Sequence, residues 1–172
     1  ERLLQEGKSV VSWGNGMVQF TIFQAIWLMA VWQLLGPVGL AGALAVALVS
    51  VLLLETINYV EHYGLRRRML ASGRPEPVLP IHSWNSNHIV TNVFLYHLQR
   101  HSDHHAHPTR KYQALRHFEH APQLPSGYAA MVLLAYVPPI WFKVMDKRLI
   151  DHYKGDFSRI HVYEPKRQAL MA

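Results

Sequence analysis

The first third of the chain has no polar rhythm. Residues 9–54 are 46 consecutive positions without a single Asp, Glu, Lys, Arg or His. Inside that block, residues 17–35 (MVQFTIFQAIWLMAVWQLL) and residues 38–57 (VGLAGALAVALVSVLLLETI) are two long apolar runs, separated by Gly36-Pro37. Each run is close to the roughly 20 residues that cross about 30 Å of hydrocarbon at 1.5 Å per residue. The pattern predicts a transmembrane helical hairpin over residues 9–57 that turns at Gly36-Pro37. A signal peptide does not account for it, because the runs come in tandem and each exceeds the apolar core of a signal.

The second helix is expected to run on through LLLETINYVEHYGL. Glu55, Asn58, Tyr59 and His62 follow at i, i+3, i+4 and i+7 and therefore share one face. Ionisable groups at the end of a span face a protein interior or a polar cavity rather than lipid. Residues 72–80 (SGRPEPVLP) have no periodicity and read as a loop. From SWNSNH (83–88) a further helix is expected to reach Ala106, with Ser83, Asn85 and Ser86 as candidate N-caps and Pro108 as the stop. On that helix His97, His101, His104 and His105 fall at i, i+4, i+7 and i+8, a single stripe from which several imidazoles can converge. His88 points away from the stripe and His107 lies off it. Val90 and Phe94 continue the stripe backwards and are candidates to line a cavity. Residues 128–145 are apolar but interrupted by Pro138-Pro139, and are expected at the interface or packed under the site.

Composition sharpens this picture in three ways. Only 16% of the 172 residues are charged, against roughly 25% in an ordinary soluble domain. The net charge of +6 is placed as topology requires: Arg2 and Lys8 precede the hairpin, and Arg66, Arg67, Arg68 and Arg74 follow it. The positive-inside rule then puts both ends, and everything after residue 60, in the cytoplasm, with no nucleic-acid motif left to explain. The absence of cysteine excludes disulfides, thiolate zinc and a Cys-bound cluster within this chain, whereas histidine occurs 12 times. Neutral imidazoles suit Zn, Cu, Fe and Ni, and a closed structural zinc would ordinarily recruit Cys. The residues alone thus predict an all-α integral membrane helical bundle, its hairpin followed by cytoplasmic histidine-bearing helices (residues 58–172) that form a multi-histidine metal site.

Three segments carry a resemblance. NYVEHYGL (58–65), LQRHSDHHAHPTRKYQALRHF (98–118) and LPSGYAAMVLLAYVPPIWFKVMDKRL (124–149) closely resemble the C-terminal half of the integral-membrane alkane 1-monooxygenases. The NYxEHYG box is specific to that family, while HxxHH is shared with membrane desaturases and hydroxylases. The resemblance implies metal ligation by His62, His101, His104 and His105, two non-haem irons, no haem, and no catalytic side chain beyond the ligands. It implies O2-dependent terminal hydroxylation of medium-to-long-chain n-alkanes to primary alcohols at a bacterial inner membrane. Electrons would come from rubredoxin, itself reduced by a reductase. His97 matches no ligand of the family and is a candidate for outer contacts. Glu61, Asp103 and Glu55 are candidate carboxylates to orient the ligands and balance the metal charge. The basic tail over residues 146–167, with Lys147, Arg148, Lys154, Arg159, Lys166 and Arg167, is expected to dock an acidic rubredoxin.

The family's two earlier histidine boxes, HExxHK and EHxxGHH, do not occur here. The N-terminal portion of the same enzyme is therefore an expected partner. Two other function classes fit less of the pattern: a membrane fatty-acid or lipid desaturase or hydroxylase of the same histidine-box type, and a non-catalytic metal- or haem-binding membrane protein.

Overall fold

The computed structural model describes residues 2–163, 165 and 168. The described residues fold into helices α1 (Arg2–Gln5), α2 (Gly16–His62), α3 (Ile89–Phe94), α4 (His101–Ala106), α5 (Tyr128–Ala135) and α6 (Pro138–His152), with short 3-10 turns between them. No strand occurs among them, only isolated bridges such as Leu65 with Ile160 and Asn85 with Gln123. The expected all-α architecture is borne out. The chain divides into two compact units, Glu1–Leu52 and Leu53–Ala172.

In the first unit, Asn15 prepares the start of α2 by accepting the Met17 N–H on its side chain at 3.0 Å. Gly36, at φ 66° and ψ −166°, interrupts the helical path at the position the sequence marks, immediately before Pro37. Glycine meets no Cβ penalty at that positive φ, and proline supplies no N–H to the preceding turn. No residue from 16 to 52 is buried, and large apolar side chains such as Leu34 and Val38 stand outward. The helix is long and apolar enough to cross a membrane. An apolar surface on all sides is what hydrocarbon accepts and water does not.

The described residues of the second unit share one hydrophobic core. Tyr128 and Met131 of α5 sit at i and i+3, and Trp141, Met145 and Leu149 of α6 at i, i+4 and i+8. All five are buried and pack with Val60 of α2 and with Trp84. Pro138 and Pro139 open α6, where a missing N–H costs nothing. The apolar segment 128–145 is therefore two short helices on either side of a proline break, with a buried stripe toward Val60. The chain leaves α2 through Gly64 at φ 69°, whose missing Cβ makes room for the Leu149 side chain. Its carbonyl accepts the His161 N–H at 2.8 Å.

Two sequence expectations are corrected here. Residues 83–86 are not a helix cap: they are buried, and the Trp84 N–H donates to Glu61 O at 2.8 Å while Asn85 exchanges backbone hydrogen bonds with Pro122 and Leu124. The helix starts only after His88. It also does not reach Ala106 in one piece, because Tyr96 (φ 49°) and His97 (φ 60°) take left-handed conformations between α3 and α4. The cause is a buried polar knot. Gln99, fully buried, donates to both the His88 carbonyl and the Asn92 side chain at 2.8 Å, and the Ser86 N–H donates to Gln99 O. Burying that amide with its hydrogen bonds satisfied outweighs the local helical preference of residues 95–100.

Candidate metal centre

The centre is assembled from the last residue of α2 and one face of α4. His62 ends α2, and α4 opens on His101 directly after the break, so His101, His104 and His105 project at i, i+3 and i+4. The two residues between point the other way and fasten the helix. Ser102 donates from its hydroxyl to Pro80 O at 2.6 Å and from its N–H to the Asn85 side chain at 3.0 Å. Asp103 is fully buried against the Arg110 guanidinium, accepts the Arg116 N–H at 2.8 Å, and lies 3.1 Å from His107 Nδ1.

His62, His101 and His105 then face one another. One ring nitrogen from each lies within 4.8 Å of the others, and Nε2 of His62 is 3.4 Å from Nε2 of His101. Ring centroids are 5.2 Å apart for His62 with His101, 5.2 Å for His62 with His105 and 4.2 Å for His101 with His105. His104 stands at the edge, 5.9 Å from His101 and 5.8 Å from His105 by centroid. His101 is buried, whereas His62, His104 and His105 are exposed.

Burial first, and then the neighbouring His105, His62 and His104 rings, push the His101 imidazole down to about 2. His105 is lowered as well, by burial and then by His62 and His104. Both rings are thus held neutral, the form that ligates a metal. The Nδ1 of His101 and one oxygen of Glu61 are buried without a hydrogen-bond partner, and the other Glu61 oxygen lies 3.1 Å from His101 Nε2. Three convergent imidazoles, two of them held neutral, beside the buried Glu61 side chain are a donor set that fits a divalent transition metal.

The remaining candidates fall in different places. Glu61 is buried with its carboxylate on His101. Asp103 makes its contacts with Arg110, Arg116 and His107, on the far side of α4 from the rings. Burial alone would raise its carboxyl, but the Arg116 N–H and the Arg110 and Arg116 side chains hold it down at about 2. Glu55 is exposed, two helical turns before His62. His97 does not continue the stripe of His101 and His105, because the backbone turns at that residue; its Nδ1 is buried without a partner. Val90 and Phe94 are 67% and 77% exposed. Sequence reasoning missed His82, whose carbonyl lies 3.4 Å from His62 Nδ1. It also missed Arg110 and Arg116 as the anchors of Asp103. No periodicity marks any of these, since their partners lie across loops.

Comparisons with known proteins give relatives along nearly the whole chain. The chain is 48% identical over 171 residues to an alkane 1-monooxygenase of Acinetobacter baylyi, covering 99% of this chain and 42% of the relative. It is 47% identical over 156 residues to alkane 1-monooxygenase 2 of Pseudomonas aeruginosa, covering 91% and 41%. The hydroxylase component of a xylene/toluene monooxygenase of Pseudomonas putida is 28% identical over 172 residues, covering 100% and 44%. The chain therefore spans less than half the length of these curated relatives, and the expected resemblance to alkane 1-monooxygenases is borne out. The fatty acid desaturase family matches residues 3–135, a range that takes in the long apolar helix and all four histidines of the centre. The chain belongs to the fatty acid desaturase family.

Proposed function

We propose that this chain forms part of a membrane alkane 1-monooxygenase, which converts medium-to-long-chain n-alkanes and O2 to primary alcohols at a histidine-bound di-iron centre. The observation that carries the reading is the convergence of His62, His101 and His105, in a chain whose relatives include proteins named alkane 1-monooxygenase. His104, next to them on α4, completes the proposed ligands of this chain. Four imidazoles are too few to hold two irons, so the proposal requires further ligands from sequence beyond these 172 residues.

Bound iron would supply the activation of O2, one oxygen atom entering the alcohol and the other leaving as water with two electrons from the donor and two protons from solvent. The chain's own residues do the rest. Burial keeps His101 neutral, so its nitrogen is free to ligate without first losing a proton. Glu61, buried at 3.1 Å from His101 Nε2, is pushed up to about 8 by burial, and on giving up its proton as a cation binds it would offset part of the metal's charge. Residues 9–57 are the membrane hairpin of this reading, and residues 58–172 the cytoplasmic portion. An alkane dissolved in the bilayer can approach between such helices without crossing water.

The location proposed is a bacterial inner membrane with the centre on the cytoplasmic side, since basic residues flank the hairpin on both ends. Electrons come from a reduced rubredoxin docked by charge on Lys147, Arg148, Lys154 and Arg159; Lys166 and Arg167 lie outside the described residues. Turnover that is insensitive to ionic strength would contradict that docking.

The test is a product assay on the full-length protein in membranes, supplied with rubredoxin and its reductase. Octane should give 1-octanol, and an acyl thioester should give no product. Acyl-chain oxidation without octane oxidation would favour a lipid desaturase or hydroxylase of the same family. A Soret band would point to haem and overturn the reading.

A further inference from the structure

His82 lies beside the centre although no motif marks it. It closes the short turn Pro80–His82 and is 6% exposed. Its Nδ1 accepts the Leu79 N–H at 3.0 Å, which leaves the ring proton on Nε2. Nε2 in turn donates to Glu76 Oε1 at 3.0 Å. That same oxygen accepts the Arg68 N–H at 2.9 Å, and the Glu76 N–H returns a hydrogen bond to the Arg68 carbonyl at 2.9 Å. The Glu76 carboxylate is thereby tied to the segment that follows α2, and the His82 ring is tied to Glu76.

This arrangement fixes the backbone of His82, and the His82 carbonyl faces His62 Nδ1 at 3.4 Å. A carbonyl can only accept, so the proton of His62 belongs on Nδ1. Its Nε2 is then a bare lone pair, and it is the nitrogen 3.4 Å from His101 Nε2. Packing does little to hold the ring on this flank. A cavity of about 350 Å³ lies there, lined by His62, Leu65, Arg67, Val78, His82 and His105. The exposed His62 ring needs a hydrogen bond to keep its orientation, and no ring nitrogen can both donate to a carbonyl and ligate a metal.

We infer that Glu76 and His82 are positioning residues: they set the tautomer and orientation of His62 so that Nε2 is the nitrogen offered to the metal. A donor nitrogen oriented through the other side of its ring is a general device of metal sites. Here the device is relayed from a loop carboxylate, through a second histidine, to a carbonyl. The inference rests on the metal reading above, and its experiment separates the two.

The probe is Co²⁺, added to the metal-free full-length protein in detergent and followed by its visible absorption bands. Wild-type protein should bind Co²⁺ with bands typical of nitrogen ligation. Glu76→Ala should bind about 10- to 100-fold more weakly, the usual effect of losing an outer support, and with altered bands. Glu76→Gln keeps a carbonyl oxygen that accepts both the His82 and the Arg68 N–H, and should restore most of the affinity and the original bands. Should Glu76→Ala fail to accumulate, Glu76→Asp, with its shorter arm, is compared with Glu76→Gln in the same way. Wild-type affinity and unchanged bands in Glu76→Ala, or in Glu76→Asp where it takes that place, would overturn the inference while the metal reading stands. Equal loss in Glu76→Gln would overturn it too. A wild-type protein that binds no Co²⁺ would overturn both.

Discussion

Asp103 and Arg110 form a buried ion pair on the back of the helix that carries the centre. The Asp103 carboxylate is fully enclosed, and Arg110 reaches it from the loop beyond Pro108. With the Arg116 backbone N–H on the same carboxylate, this pair fixes the roll of α4, and hence the direction of His101 and His105, without touching either ring. Asp103→Ala should destabilise the protein by roughly 2–4 kcal/mol, below the cost of breaking a wholly buried pair because Arg110 is partly exposed. Asp103→Asn, which still accepts the Arg116 N–H, should cost less. Denaturant unfolding of the detergent-solubilised protein measures both, and an Asp103→Ala protein as stable as wild type would contradict this role.

The pH dependence of stability follows from His101. Its ring is held at about 2 in the folded protein by burial and by the adjacent imidazoles, against about 6.5 in the unfolded chain. Between those values the unfolded state takes up a proton that the folded state refuses. This one group should therefore cost the metal-free protein up to ~1.4 kcal/mol of stability per pH unit as pH falls below about 6.5. His105 and His82, both lowered chiefly by burial, act in the same direction. Asp103 acts in the same direction but at lower pH: its contribution is complete above about 4 and is lost only as pH falls toward 2. Glu61 works against these groups: burial pushes it up to about 8, so between about 8 and 4.5 the folded state holds a proton that the unfolded chain gives up, and stability gains as pH falls. Unfolding measured from pH 7.5 to 5 reads the balance, and His101→Asn should remove about one proton from the slope.

Gly64 tests the exit from α2. Its φ of 69° is unfavourable for any L side chain, and an added Cβ would run into the Leu149 side chain. Gly64→Ala should cost roughly 1–3 kcal/mol from strain and overpacking. Thermal unfolding measures that loss, and a wild-type midpoint would show that the turn can take another shape.

Substitutions at the centre should separate ligands from bystanders. His62→Ala and His104→Ala should each lower bound iron and abolish alkane hydroxylation. His152→Ala, whose ring lies near Trp84 with a centroid separation of 6.3 Å, should do neither. Activity and metal content measured on the same preparations decide this, and equal losses at His152 would count against the ligand assignment.

Periodicity and spacing made part of this structure legible beforehand. The break at Gly36, the run of α2 as far as His62 and the common face of His101, His104 and His105 all follow from local rules. The straight helix from the SWNSNH segment to Ala106 did not survive, and the reason is instructive. Residues 95–100 have no helix breaker, but Gln99 is drawn into hydrogen bonds with His88 and Asn92, and that buried knot forces Tyr96 and His97 to left-handed φ. The direction of Asp103 was equally hidden, because its partners Arg110 and Arg116 meet it only once the loop has folded back. His82 gave no signal in the sequence, since its link to His62 runs through a main-chain carbonyl.

The most direct test is the metal content of the full-length protein, purified in detergent and analysed by elemental mass spectrometry alongside its visible spectrum. Two irons per protein, no haem absorption, and loss of iron in His101→Ala, the one buried ring of the cluster, are the expected result. One zinc per protein, no metal at all, or full iron occupancy in His101→Ala would contradict it.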